Sequence, residues 1–191
     1  MSANQALLVS EEKLRAFTAV HASVSPTDLT PHILTAQNLV LQEILGSTFY
    51  NQLSKQVVNS SLTTVNRTIL DDFIGPALCN LAYYYCLPGL TYKVFQKSVL
   101  KPGSESSQNI GLDELKYLRE VAMDVAESYL KKLQTYLKNN SSLYPAYSQY
   151  VLSDGVAPNK ESPFFCGIQT SSKYYNKKQR YNYNETESCE D

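Results

Sequence analysis

The chain has 191 residues, a formal net charge of -1 and 18% charged side chains. Globular proteins typically carry about 25% charged residues, and here Asn, Gln, Ser, Thr and 15 tyrosines replace the missing charge. This balance excludes the overall positive field that drives nucleic-acid binding, and the length suits one hydrophobic core with an appendage.

Helix start signals recur near the amino terminus. Ser10, followed by two glutamates, predicts the N-cap of a short helix that runs to about residue 20. Ser25 followed by Pro26 predicts a second start, because proline is favoured in the first turn of a helix. Pro31 predicts that this helix restarts once more.

A glycine and several hydroxyl residues bound the next helices. The apolar spacing predicts a helix that runs to Leu45 and stops at Gly46, with Ser47 capping its successor. Thr63 or Thr64 predicts the start of a further helix.

The central helix is the apolar segment ALCNLAYYYCL. We expect a kink or restart at Pro76 and an end at Pro88-Gly89. The three tyrosines at 83–85 must point in three directions, so at least one should meet another element or a neighbouring chain. Residues 92–111 lack a helical period and predict an extended, hairpin-like excursion.

The clearest helical pattern begins near Leu112, with Asp113 and Glu114 in the first turn. Beyond Lys138 the period disappears into a polar, tyrosine-rich segment. The predicted fold is therefore mainly α: a small helical bundle (residues 1–138) with one long C-terminal helix, a loop or hairpin excursion, and an extended C-terminal arm (residues 139–191). The apolar positions predicted to be buried on the long helix are Leu115, Leu118, Ala122, Val125, Tyr129, Leu133 and Leu137.

Motifs for catalysis or cofactor binding are missing from the sequence. There is no phosphate-binding loop, GxSxG or HExxH, and the two histidines fall at predicted helix ends. The four cysteines form no CxxC pair, which favours free thiols in a reducing compartment. We therefore expect no enzyme activity, no metal and no cofactor. The cysteines are Cys79, Cys86, Cys166 and Cys189.

Neither a secretory signal nor a membrane span is expected. The amino terminus has no basic segment followed by an apolar stretch. The longest uncharged run, residues 73–92, is interrupted by prolines and glycines and favours a buried core helix.

The arm alternates cations with aromatic residues at 173–183, a pattern that suits stacking on single-stranded nucleic acid. Acidic residues follow immediately and cancel that charge. Three interpretations stay open: an arm that orders on a protein partner, plain disorder, and nucleic-acid binding. The candidate partner-binding residues are Tyr144, Tyr147, Tyr150, Tyr174, Tyr175, Lys177, Lys178, Arg180, Tyr181 and Tyr183.

Four segments carry a family resemblance, and they occur in order across residues 7–137. They are LLVSEEKLRAFTAVH, then AQNLVLQEILGSTFYNQL after Asp28-Leu29-Thr30-Pro31, then CLPGLTYKVFQKSV, and finally LDELKYLREVAMDVAESYLKKLQTYL. Together they resemble the head-to-tail connector proteins of tailed phages, especially those of crAss-like phages.

The resemblance implies a helical bundle repeated in an adaptor ring, commonly of twelve copies, which sits below the portal and lines the passage of the genome DNA. The implied partners are further copies of the chain, the portal protein and another neck or tail protein. The implied location is the neck of the virion, after synthesis in the host cytoplasm. The alternative is a nucleic-acid-binding regulatory or packaging protein that uses the basic tyrosine-rich tail. A hydrolase is a third hypothesis, but the sequence offers no nucleophile and base pair for it.

Overall fold

The computed structural model describes residues 6–91, 93–95, 98–100, 111–149 and 155–160. Within these ranges the chain is mainly helical, which confirms the predicted fold class. The elements are α1 (Glu11–Phe17), α2 (Pro26–Ala36), a first π turn (Gln37–Leu41), α3 (Gln42–Val58), α4 (Thr64–Ile69), a second π turn (Leu70–Ile74), α5 (Gly75–Thr91), β1 (Lys93–Phe95), β2 (Ser98–Leu100), α6 (Leu112–Asn139), a 3₁₀ turn (Ser141–Leu143) and α7 (Pro145–Ser148).

The first two helices begin at the predicted caps. The Ser10 hydroxyl accepts a hydrogen bond from the Lys13 amide at 3.2 Å, and Pro26 occupies the first turn of α2. α2 continues through Pro31, so the predicted restart there is wrong. Pro31 is the sixth residue of α2 and removes one backbone hydrogen bond, a cost that the packing of the whole helix outweighs.

α3 contains the predicted break at Gly46. This glycine has φ 74° and ψ 155°, outside the helical region, and the helix resumes after it. Ser47 does not act as the predicted cap. Its hydroxyl instead accepts a hydrogen bond from the Val156 amide at 3.0 Å, far along the chain.

α4 begins at the predicted cap, because the Thr63 hydroxyl accepts a hydrogen bond from the Asn66 amide. The second π turn lies immediately before Pro76, and the Gly75 amide donates to the Leu70 carbonyl five residues back. A wide turn at this point gives room for the proline ring, which would clash with the carbonyl of an ordinary turn. α5 then continues to Thr91, so the predicted end at Pro88 is too early.

A short antiparallel hairpin follows α5, as the sequence predicted. Lys93 pairs with Leu100 in its register. The chain then returns along α6, which packs antiparallel on α5: Tyr84 meets Arg119 near one end, and Phe73 stacks on Tyr136 near the other.

The core extends beyond the predicted domain boundary at residue 138. Tyr144 and Tyr147 are buried in the cluster of core side chains, with ring centroids 5.7 and 6.4 Å from that of Phe49. The Tyr144 hydroxyl donates to the Val65 carbonyl at 3.4 Å. The segment after residue 138 was predicted to make no core of its own, and these two tyrosines join the core of the bundle, because tyrosine offers a large apolar ring with one polar end to satisfy.

Candidate interaction surface

α6 is the longest helix of the described chain, with 28 residues. The Glu114 carboxylate accepts a hydrogen bond from the Gly111 amide at 2.9 Å, and Asp113 adds a second negative charge in the first turn. Both groups stabilise the positive end of the helix dipole. The buried side chains of α6 are Leu115, Ala122, Ala126, Leu130, Leu133, Gln134 and Leu137.

The predicted facing of α6 is only partly correct. Leu118 and Tyr129 are half-buried and Val125 is exposed, although all three were expected in the core. At 100° per residue, Leu118, Val125 and Tyr129 point about 60°, 80° and 40° to one side of Leu115, whereas Ala126 and Leu130 point about 20° and 60° to the other side. The buried face is therefore rotated towards Ala126 and Leu130.

This rotation leaves apolar side chains uncovered on one flank of α6. Tyr117, Val121 and Val125 are 65%, 43% and 38% exposed and lie four residues apart. We call these three residues the α6 stripe. An apolar row of this kind on an otherwise polar helix is typical of a surface that packs against another molecule.

The same flank continues into an open groove of about 570 Å³ near the C-terminal end of α6. Phe73 and Tyr136 stack in it with ring centroids 4.6 Å apart. Lys131 and Lys132 line its edge, and the Lys132 ammonium lies 5.1 Å from the Tyr129 ring centroid. The flank therefore changes along the helix from apolar to aromatic and basic.

Between α5 and α6 lies a tyrosine and arginine cluster. The Arg119 guanidinium carbon is 4.2 Å from the Tyr84 ring centroid, and the Tyr84 and Tyr85 rings meet edge to face at 5.2 Å. Burial raises the pKa of Tyr85. The expectation that one of the three consecutive tyrosines meets another element is confirmed, and this contact fixes α6 on α5.

A second feature lies at the break in α3, where residues 155–160 pack against it as an extended strap. The Ser47 amide donates to the Val156 carbonyl at 2.8 Å, and the Asn159 amide donates to the Glu43 carbonyl at 2.9 Å. Pro158 fits against Gly46, where a Cβ atom would approach the proline Cδ to 2.7 Å. We call this site the Gly46 notch. The sequence predicts the break at Gly46 but does not predict that residues 155–160 pack against it.

The predicted partner-binding residues divide into two groups. Tyr144 and Tyr147 are buried in the chain's own core, so their rings are not available to a partner in this conformation. All the others lie outside the described residues: Tyr150, Tyr174, Tyr175, Lys177, Lys178, Arg180, Tyr181 and Tyr183.

The residues that could carry chemistry are scattered. Among the described residues, no three His, Cys, Asp or Glu side chains come together in a group that could hold a metal ion. The His21 Nδ1 atom lies 2.7 Å from the Ser23 hydroxyl, and burial lowers the pKa of His32. Cys79 and Cys86 are free and buried, whereas Cys166 and Cys189 lie outside the described ranges.

A search of the described helices found none with the length and apolar character needed to span a bilayer.

The fold and the surface define a small, mainly helical protein with an exposed apolar row on its longest described helix. Residues 41–150 match a family of unknown function, DUF6712, and the chain belongs to that family. A search of curated proteins and a search of solved structures each gave no match.

Proposed function

We propose that this chain is a structural virion subunit that forms a head-to-tail connector ring between portal and tail, with the genome DNA passing through the ring. The observation that carries the assembly is the α6 stripe, an apolar row that the chain's own core leaves uncovered. The resemblance of residues 7–137 to phage connectors supports the placement of the ring in the virion neck.

A second copy of the chain is the partner that this surface suits. A stable interface needs roughly 800 Å² on each side, and a helix of 28 residues, about 42 Å long, offers enough length to supply it. Two different surfaces meet at each contact of a ring, so the α6 stripe of one copy packs on another face of the next.

The test changes the stripe and leaves the core intact. In the double variant Val121→Glu, Val125→Glu, each interface would bury two carboxylates, so we expect loss of assembly with unchanged helicity. Native mass spectrometry of the purified chain and its copy number in virions measure assembly, and circular dichroism measures helicity. Lys116→Glu is the matched control, because it changes the net charge by the same two units and this exposed side chain points about 140° away from Val121. Equal assembly of parent and double variant would contradict the proposal.

A further inference from the structure

At the Gly46 notch, one backbone hydrogen bond of α3 is missing. In an uninterrupted helix the amide of Ser47 would donate to the carbonyl of Glu43, four residues back. The glycine separates these two groups, and the strap takes both: Val156 accepts from the first and Asn159 donates to the second. Two hydrogen bonds to a distant segment thus replace one within the helix.

Further contacts make the notch a site for an extended peptide. The Ser47 hydroxyl accepts from the Val156 amide at 3.0 Å, and the Gln134 side-chain amide donates to the Asn159 carbonyl at 2.9 Å. All four hydrogen bonds involve main-chain atoms of the strap. Pro158 is buried against Gly46. The notch therefore binds the main chain of an extended peptide and the ring of one proline.

The notch needs an occupant. Ser47 is buried when the strap is in place. Without the strap its amide would lose its partner, whereas its hydroxyl would keep the hydrogen bond from the Gln42 side-chain amide at 3.1 Å. Each buried polar group left unpaired costs about 1–3 kcal/mol. The strap of a second copy would make the same contacts in the notch as the chain's own strap, because an element exchanged between identical chains keeps its interactions.

The notch and the α6 stripe lie on different sides of α6. At 100° per residue, Gln134, which holds the strap, points about 100°, 140° and 180° away from Tyr117, Val121 and Val125. In a ring of head-to-tail contacts, one neighbour faces the stripe and the other faces the notch.

We propose that the Gly46 notch is a peptide-binding site that takes residues 155–160 of a second copy when the chain assembles, an inference that rests on the proposed ring. Five residues join Gln149 to Gly155, and their extended length is at most about 20 Å. Only the adjacent copy lies within such a reach, so the exchange links nearest neighbours.

The test uses two full-length chains, each with one introduced, exposed cysteine. One carries Glu43→Cys and the other Lys160→Cys, both at exposed positions that contribute no side chain to the four hydrogen bonds. Cys166 and Cys189 are changed to serine in each, while Cys79 and Cys86 stay because they are buried. The two chains, distinguished by a tag, are mixed unfolded, refolded and assembled together, and treated with a short bismaleimide.

Exchange predicts a cross-link between the two different chains in the oligomer. A mixture in which Asp113→Cys replaces Glu43→Cys controls for random collision, because this exposed residue is 21 positions from Gln134 on α6. A chain carrying both Glu43→Cys and Lys160→Cys reports seating of its own strap. Oligomers that show only this intrachain product would overturn the exchange and leave the ring intact. A monomeric mass without interchain product would overturn both proposals.

Discussion

Gln37 shows how one buried side chain fastens a whole segment. Its carbonyl oxygen accepts from the Leu8 amide at 2.8 Å, and its amide nitrogen donates to the Ala6 carbonyl at 3.0 Å and the Tyr50 hydroxyl at 3.2 Å. The side chain is fully buried on the first π turn. Because buried polar groups must be paired, this amide holds the residues before α1 against the bundle.

The corrected facing of α6 predicts different outcomes for two similar substitutions. Leu130→Asp places a carboxylate in the core, where an unpaired charge costs several kcal/mol, so folding should fail. Leu118→Asp lies at the half-buried edge of the same helix, where the carboxylate reaches water, so the variant should fold with a modestly lower midpoint. Thermal unfolding followed by circular dichroism separates the two. Equal losses would show that Leu118 belongs to the buried face.

The two buried thiols predict a loss of stability in alkali. Burial raises the pKa of Cys79 to about 12 and that of Cys86 to about 11, from an ordinary value of 9.0. As the pH rises above 9.0 the unfolded chain ionises first and releases protons, so the free energy of unfolding should fall. This contribution is fully present below 9.0 and is lost as the pH approaches the folded values.

Urea unfolding one pH unit below and one unit above 9.0 measures this effect. In the variant Cys79→Ala, Cys86→Ala the decrease should be smaller, and half-buried tyrosines such as Tyr83, whose pKa partial burial also raises, contribute to what remains. An identical decrease in parent and variant would exclude the thiols as its source.

At the level of elements, the buried Tyr144 and Tyr147, at the start of α7 and within it, place the end of the folded domain beyond residue 138. Truncation after residue 160 keeps Tyr144, Tyr147 and the strap, so we expect the unfolding midpoint of the full chain. Truncation after residue 138 removes all of them and uncovers Phe49. Loss of one large aromatic side chain from a core costs about 3–5 kcal/mol, so the shorter chain should lose cooperative unfolding. Circular dichroism of both truncated chains tests this, and a stable 1–138 chain would restore the predicted boundary.

Features set by neighbouring residues were predictable from the sequence. The caps at Ser10 and Thr63, the start at Pro26, the break at Gly46 and the acidic start of α6 all depend on local chemistry. The continuation of α2 and α5 through proline was missed, because packing of the whole helix outweighs one lost hydrogen bond.

The candidate site was less predictable, because its parts depend on distant contacts. The α6 stripe follows from a rotation of the helix by a few tens of degrees, which the apolar spacing alone does not resolve. The burial of Tyr144 and Tyr147 depends on Phe49, nearly a hundred residues away. The strap depends on the backbone groups freed at Gly46, which carry no signature in the sequence of residues 155–160.

Across the described part of the molecule, α5 makes the most extensive packing with other helices, against α6, α2 and α1. Its buried positions are small or apolar, including Ala77, Leu78, Leu81 and Ala82, which allows close approach of neighbouring helices.

The strap also has a consequence for synthesis on the ribosome. Val156 and Ser47 are separated by 109 positions in the chain, so α3 emerges and begins to fold long before the segment that closes its break exists. Contacts of such long sequence separation form late and slow the folding rate. The nascent chain therefore carries an open notch in its first third until translation is almost complete. In the proposed exchange, this interval is when a neighbouring chain, whose own strap is already synthesised, fills the notch.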